Sequence, residues 1–157
     1  MKRQNFLHEL AGERKIQLIK PSDDVKEAYL KKSGSYLASA KLLRDNEHYE
    51  EAVSMAYYSM YYVVLALFFR TGIKCENHSA GVIILEEVFG IDTTALSTAK
   101  KERIDTQYYV DTVATKQDVD DMIRNAEVFH AYLLDTIARL SSETIPKYRK
   151  RLKVLIQ

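Results

Sequence analysis

The sequence predicts a single all-α domain of about five core helices, with an extra amphipathic helical segment at each end. The chain has 157 residues and is 46% hydrophobic, which suffices for one globular core. Only 5 Gly and 2 Pro are present, too few turn residues for a β-sandwich. Apolar residues also recur at helical spacing along most of the chain. Long helices joined by few turns therefore suit this composition.

These patterns divide the chain into three parts. Residues 1–21 form an N-terminal amphipathic extension, in which a short helix is predicted over about residues 2–16. Pro21 interrupts the helical pattern there. Residues 22–141 hold the helical bundle, and residues 142–157 form a basic amphipathic C-terminal tail.

The centre of the predicted core is a helix over about residues 48–70, with the sequence EEAVSMAYYSMYYVVLALFFR. It is apolar around nearly its whole circumference, so other helices must cover it on several sides. Because a domain of this size offers few helices, a dimer interface is expected to cover part of it. Tyrosines at its centre are typical of membrane interfaces rather than bilayer interiors, so no membrane span is predicted.

Capping residues and breaks delimit the first half of the bundle. Ser22 is expected to cap a helix that ends near Asn46. Gly72 can adopt the left-handed conformation that ends the central helix. A short loop is predicted over residues 73–77, followed by a compact helix that ends at Gly90.

Similar signals delimit the second half. Thr93 or Thr94 is expected to start a helix that carries apolar positions as far as Val113. Thr115 and Asp118 then resemble a capping box, with Asp in place of the usual Glu. The stripe that follows is the most regular helical pattern in the chain, and it predicts a long amphipathic helix.

Charge and cysteine content exclude several classes of protein. The net charge of +1 gives no overall attraction to nucleic acid or an acidic membrane. Cys75 is the only cysteine, so neither a disulfide nor a cysteine-based metal site is expected, and a cytoplasmic location is predicted. The four histidines share no ligand spacing, and no cofactor motif is present.

Two groups of residues could line a binding site. The phenols of Tyr57, Tyr58 and Tyr61 lie on the central helix, where they either fill the core or face a polar cleft. His78 stands at a predicted helix start, where it either caps and packs or binds an anion and exchanges protons. Position alone leaves these alternatives open.

The segment KKERIDTQYYVD supplies the other candidates. On a helix Arg103 and Gln107 share a face, Tyr108 lies beside them, and Asp105 lies to one side. A guanidinium next to a phenol suits phosphate binding. The basic tail offers RNA contacts as one alternative and packing on a neighbouring helix as the other.

Taken in order, these elements resemble a HEPN domain of the small stand-alone prokaryotic type. The resemblance covers roughly residues 25–140 and rests on four stretches, SGSYLASAKLLRDNEHYEEAVSMAYYSMYYVVLALFFRTGI, the His-Ser of CENHSAGVI, RIDTQYY and NAEVFHAYLLDTI. It implies an up-and-down helical bundle, a homodimer and, often, a minimal nucleotidyltransferase as partner. In many members an Arg, four to six residues and a His form a metal-independent RNase site; here Arg103 is present but Tyr108 stands five residues on.

Three hypotheses follow. The first is a homodimeric protein that binds a nucleotide or RNA in a cleft with the ligand-binding residues Tyr57, Tyr58, Tyr61, His78, Arg103, Asp105 and Tyr108. The second is an RNase toxin of a toxin–antitoxin pair whose catalytic residues are Arg103, His78 and Tyr108. The third is a structural interaction dimer, which would place His78 and Arg103 on opposite exposed sides.

Overall fold

The protein is an all-α helical bundle with one small two-stranded sheet. A computed structural model describes all residues from 1 to 157. The elements, in chain order, are α1 (Lys2–Gly12), β1 (Ile16–Leu18), α2 (Asp23–Asp45), α3 (Tyr49–Thr71), β2 (Ile73–Cys75), α4 (His78–Phe89), α5 (Thr94–Tyr108), α6 (Lys116–Ala138) and α7 (Thr144–Ile156). Five helices in the middle and one at each end confirm the predicted fold class.

The α3 helix is the centre of the core. It packs most extensively against α2, and next against α6 and α5. Tyr57, Leu67 and Phe68 are among the largest fully buried side chains in the chain, and each such burial stabilises the fold by about 1.5–3 kcal/mol. The helix is long and apolar enough to cross a membrane, but 72% of its most apolar window is buried inside the bundle. Because other helices of the same chain cover α3, the dimer interface that was expected to cover it is not needed for that purpose.

The predicted capping residues act as expected. Ser22 Oγ accepts a hydrogen bond from the Val25 amide (3.2 Å), which caps α2. Gly72 ends α3 in the left-handed conformation, with φ of 76°. Thr115 and Asp118 form a reciprocal capping box at the start of α6.

Three local predictions are wrong. The first helix ends at Gly12 instead of continuing to residue 16, because the chain turns there into β1. The predicted loop over 73–77 contains β2, which pairs antiparallel with β1, Leu18 opposite Ile73. Val113 is not helical, because α5 ends at Tyr108 and the following residues are exposed. The sheet depends on a pairing of distant segments, which local periodicity does not reveal.

The C-terminal tail is a structural part of the fold. Helix α7 packs on α1, and Leu152 is fully buried. Arg149 Nη1 donates to the carbonyls of Ile19 (2.7 Å) and Gly72 (2.8 Å). Arg151 Nη1 donates to the Val88 carbonyl near the end of α4 (2.9 Å). Two of the tail's cations therefore satisfy carbonyl groups at helix ends, as the packing alternative predicts.

Candidate functional site

The α3 tyrosines and the first residue of α4 meet at one place. After α3 ends, β2 and the Asn77 cap turn the chain so that His78 faces back onto α3; the Asn77 side chain accepts from the Ala80 amide (3.0 Å). The imidazole of His78 stacks on the ring of Tyr61, with ring centroids 3.8 Å apart and planes 15° apart. The Tyr57 hydroxyl lies 2.6 Å from His78 Nδ1. The imidazole is thus fixed by two tyrosines one helical turn apart.

The protonation of this pair follows from its surroundings. Burial, with the positive charges of Arg103 and Lys100, lowers the pKa of His78 below its ordinary value. Burial raises the pKa of the Tyr57 phenol well above its usual range, although the charge of Arg103 opposes this. Both groups are therefore neutral near pH 7. Because a phenol is the stronger acid, we assign its O–H as the donor to Nδ1, which leaves the imidazole proton on Nε2.

Arg103 lies against the same tyrosines. The centre of its guanidinium is 5.1 Å from the centroid of the Tyr57 ring and 5.5 Å from that of Tyr58, which are cation–π distances. Arg103 Nη1 donates to Gln107 Oε1 (2.8 Å), as their shared helix face predicts. Its Nε–H is buried and has no hydrogen-bond partner, an arrangement that normally calls for a missing acceptor.

Lys100 is a member of the site that the sequence analysis missed. It precedes Arg103 by three residues on α5, so both side chains share a face. Lys100 Nζ donates to Ser79 Oγ (2.5 Å), beside His78 at the start of α4. Burial and the neighbouring charge of Arg103 lower the pKa of Lys100. The spacing of Lys100 and Arg103 in KKERI was the signal that could have identified it.

We call these six side chains the His78–Arg103 cluster, and they are Tyr57, Tyr58, Tyr61, His78, Lys100 and Arg103. The side-chain acceptors of its two cations are neutral, Ser79 Oγ for Lys100 and Gln107 Oε1 for Arg103, and neither cation forms an ion pair with a carboxylate. The first amides of α4 add to this positive field, since they lack intrahelical partners and lie at the positive end of the helix dipole. Two cations held together without a counterion form a site suited to an anion.

Four of the residues predicted to contact a ligand lie either apart from the cluster or in its buried part. Asp105 accepts a hydrogen bond from Lys101 (3.1 Å) on its own helix. Tyr108, the last residue of α5, is 67% exposed and makes no ring contact with the cluster. Tyr57 and Tyr61 are buried, so their visible role is to position His78. Direct ligand contacts from these four residues stay predictions.

His78 and Arg103 are on the same side of the molecule. Each packs against Tyr57 and Tyr58. They therefore do not lie on opposite exposed sides, which is the arrangement that would have favoured a purely structural role. No group of three or more His, Cys, Asp or Glu side chains could hold a metal ion.

The fold and the cluster define an all-α bundle with a cationic, histidine-containing site where three of its helices, α3, α4 and α5, meet. The family model of the HEPN domain matches residues 26–137, more than two thirds of the chain. This protein belongs to the HEPN domain family. A comparison with curated proteins finds no match. The matched region contains α3, α4, α5 and every residue of the His78–Arg103 cluster.

Proposed function

We propose that this HEPN protein binds the phosphate group of a nucleotide or RNA at the His78–Arg103 cluster. One observation carries the proposal: Lys100 and Arg103 converge beside His78 without a carboxylate to neutralise them. Like charges repel and each is costly to desolvate, so such a pair is best stabilised by a bound anion.

Each side chain has a distinct role in this proposal. Arg103 and Lys100 contact the phosphate oxygens through charge-assisted hydrogen bonds. His78 Nε2–H is a third donor, held in place by Tyr57 and Tyr61. Tyr58 is half-buried beside Arg103 and forms a wall for the adjacent ribose or base.

Two further parts of the proposal come from the family. HEPN proteins of this type commonly form homodimers and often work with a minimal nucleotidyltransferase, so we propose both for this chain. A cytoplasmic location belongs to the same proposal. Sedimentation of the purified protein would test the dimer, and co-purification with a nucleotidyltransferase encoded beside it would test the partner.

The binding proposal is tested by titrating the protein with uridine monophosphate and with labelled hexauridine at one fixed salt concentration. Replacing Arg103 with Ala is expected to lower both affinities about tenfold or more, the effect of losing a charge-assisted hydrogen bond. Arg124→Ala is the control, because Arg124 is an exposed α6 residue paired with Asp121. Equal affinities for the wild type and Arg103→Ala would exclude this site.

A second candidate function is metal-independent RNA cleavage. The observation that favours it is an imidazole with a lowered pKa beside a guanidinium. His78 would remove the proton of a ribose 2′-hydroxyl, whose oxygen attacks the adjacent phosphorus. The P–O5′ bond then breaks, and the 5′ oxygen takes up a proton. Products would be a 2′,3′-cyclic phosphate and a 5′-hydroxyl.

Binding ranks above cleavage for a specific reason. A base needs a free lone pair on Nε2, whereas the assigned tautomer carries its proton there. Catalysis would require Tyr57 to accept from Nδ1–H instead. Incubation of labelled RNA in EDTA tests this candidate: cyclic-phosphate ends that disappear in His78→Gln would support it, and intact RNA at high protein concentration would exclude it.

A further inference from the structure

A basic groove lies between α4 and α7, apart from the His78–Arg103 cluster. It has a volume of about 490 Å³, and its lining consists of Glu87, Lys147, Lys150, Arg151, Val154 and Leu155. The cluster contributes no residue to this lining. His78 begins α4, whereas the groove lies near the opposite end of that helix, where Arg151 contacts the Val88 carbonyl. We call this feature the α4–α7 groove.

The cations of the groove are not neutralised by the rest of the chain. No ion pair joins Lys147, Lys150 or Arg151 to a carboxylate, and the only carboxylate in the lining, Glu87, lies 3.4 Å from Arg3 of α1. Helix α7 itself contains no acidic residue. The groove therefore has an excess of positive charge that belongs to α7.

The spacing of these cations is unfavourable for the helix. Lys150 and Arg151 follow Lys147 by three and four residues, so all three share one face, and like charges at this spacing destabilise a helix. Helix α6 differs, because its exposed Lys116 and Arg124 each pair with an aspartate three or four residues away. An anion from outside the chain would relieve the repulsion on α7.

The groove presents one fixed cation and two mobile ones. Arg151 Nη1 donates to the Val88 carbonyl (2.9 Å), and the centre of the guanidinium lies 5.6 Å from the centroid of the Tyr148 ring. The remaining N–H groups of this guanidinium are free to bind a phosphate. Lys147 and Lys150 are exposed, so their ammonium groups can follow a phosphate backbone whatever its sequence.

We propose that the α4–α7 groove is a second RNA-binding surface, which contacts the phosphate backbone without reading the bases. The choice of RNA as the polyanion rests on the proposed function of the His78–Arg103 cluster. Arg151, Lys147 and Lys150 form charge-assisted hydrogen bonds with phosphate oxygens. Val154, which is 62% exposed, packs against a ribose. The groove thereby adds affinity for RNA but no sequence preference.

The packing of α7 favours RNA over a membrane surface. An amphipathic helix binds a bilayer by inserting its apolar face. The apolar face of α7 is used inside the protein, since Ile145 and Leu152 are buried and Tyr148 stacks on Phe89 with ring centroids 4.6 Å apart. Only the cations and the exposed Val154 are left for a partner, and they line a concave groove that suits a narrow strand.

The proposal assigns the basic tail two tasks. Arg149 is used entirely within the fold, where it caps carbonyl groups at the end of α3. Lys147 and Lys150 point away from the fold and are available to a ligand. Helix α7 lies outside the HEPN match, which ends at residue 137, so the groove is an addition to the matched domain.

The test measures the affinity of the full chain for labelled icosauridine at several salt concentrations, and for uridine monophosphate. A double variant, Lys147→Gln with Lys150→Gln, is expected to bind icosauridine about tenfold more weakly. The slope of log affinity against log salt should become shallower by about 1.4, as expected for two fewer phosphate contacts to a single strand. Affinity for uridine monophosphate should stay within about twofold of wild type, because the cluster is intact.

The matched control is Lys20→Gln with Lys31→Gln, which removes the same charge from two exposed lysines outside the groove. Its icosauridine affinity should stay within about twofold of wild type. Arg151 is kept in every variant because it also holds the Val88 carbonyl. Icosauridine affinity that falls no further in the groove variant than in this control overturns the groove.

Three other outcomes are also decisive. Equal losses of monophosphate and icosauridine affinity in the groove variant overturn a separate surface, because the lysines would then act on the cluster. Polyglutamate or phosphatidylserine vesicles that bind the wild type as tightly as icosauridine, with the same loss in the groove variant, overturn RNA as the occupant. Arg103→Ala with unchanged monophosphate affinity overturns the proposed function, whereas the groove is judged from the lysine variant alone.

Discussion

The hydroxyl of Tyr57 lies 2.6 Å from Nδ1 of His78. This contact connects the buried helix α3 to the first residue of α4 within the His78–Arg103 cluster. The neighbouring hydroxyl of Tyr61 is buried one helical turn away and has no hydrogen-bond partner. Both rings contact the same imidazole, so the two residues form a matched pair for mutation.

The two tyrosine-to-phenylalanine substitutions should therefore have different effects on the free energy of unfolding. Tyr57→Phe removes a satisfied hydrogen bond and is expected to lower the free energy of unfolding by about 1 kcal/mol. Tyr61→Phe removes an unpaired buried hydroxyl, whose burial costs about 1–3 kcal/mol, so stability should be unchanged or increased. Urea unfolding of both variants measures this. A larger loss in Tyr61→Phe than in Tyr57→Phe would contradict the hydrogen-bond assignment.

The Tyr61–His78 stack also limits the size of residue 81. A Cβ added to Gly81 would lie 2.9 Å from the Tyr61 hydroxyl oxygen. Alanine usually stabilises a helix interior by about 0.5–1 kcal/mol relative to glycine, but this overlap should reverse the sign, since overpacking costs about 1–3 kcal/mol. We therefore expect Gly81→Ala to lower the midpoint of thermal unfolding.

Two controls isolate the overlap. Gly34 lies within α2 and has no atoms within 4 Å of an added Cβ, so Gly34→Ala should raise the midpoint. In a Tyr61→Phe background the oxygen is absent and the nearest ring carbon is 3.3 Å away, so Gly81→Ala should cost less. An equal cost in both backgrounds would mean that the Tyr61 hydroxyl is not the obstacle.

Local patterns in the sequence predict the helices well but not the assembly of the site. The α3 helix and the Ser22 and Thr115 caps follow from residues close together in the chain. The position of His78 depends on β2, which is ordered by pairing with β1 more than fifty residues earlier. Such pairings leave no local periodicity. The sequence therefore does not predict whether His78 lies close to Arg103.

The two missed contributions differ in kind. Lys100 shares a helix face with Arg103, so its role could have been predicted from spacing alone. Arg149 caps the carbonyl end of α3 from 77 residues away. Only the folded arrangement shows that this cation of the tail is used inside the protein.

Acid pH should destabilise the fold through two histidines. Burial lowers the pKa of His130, and burial with the charges of Arg103 and Lys100 lowers that of His78. The unfolded chain therefore binds protons more readily than the folded chain below about pH 6.5. Their stabilising contribution is complete above that pH and is lost as the pH falls toward the folded-state pKa values.

Urea unfolding between pH 7.5 and 5 measures this effect. The free energy of unfolding should fall with pH in the wild type, and the slope should be shallower in His78→Gln and in His130→Gln. His48→Gln is the control, since His48 is exposed at the start of α3. Identical slopes in all four proteins would show that neither of these half-buried histidines governs the acid response.

The contact of Arg149 with the end of α3 gives a test of the tail. Arg149 Nη1 lies within 2.7–3.1 Å of the carbonyl oxygens of Ile19, Thr71 and Gly72. Arg149→Met keeps an apolar stem but leaves these carbonyls without their charged donor, which is expected to cost about 1.5–3 kcal/mol in urea unfolding. The adjacent Lys150 is exposed, so Lys150→Met should change stability by less than about 0.5 kcal/mol. If the tail served only as a surface for RNA, the two substitutions would affect stability equally little, and only binding would respond.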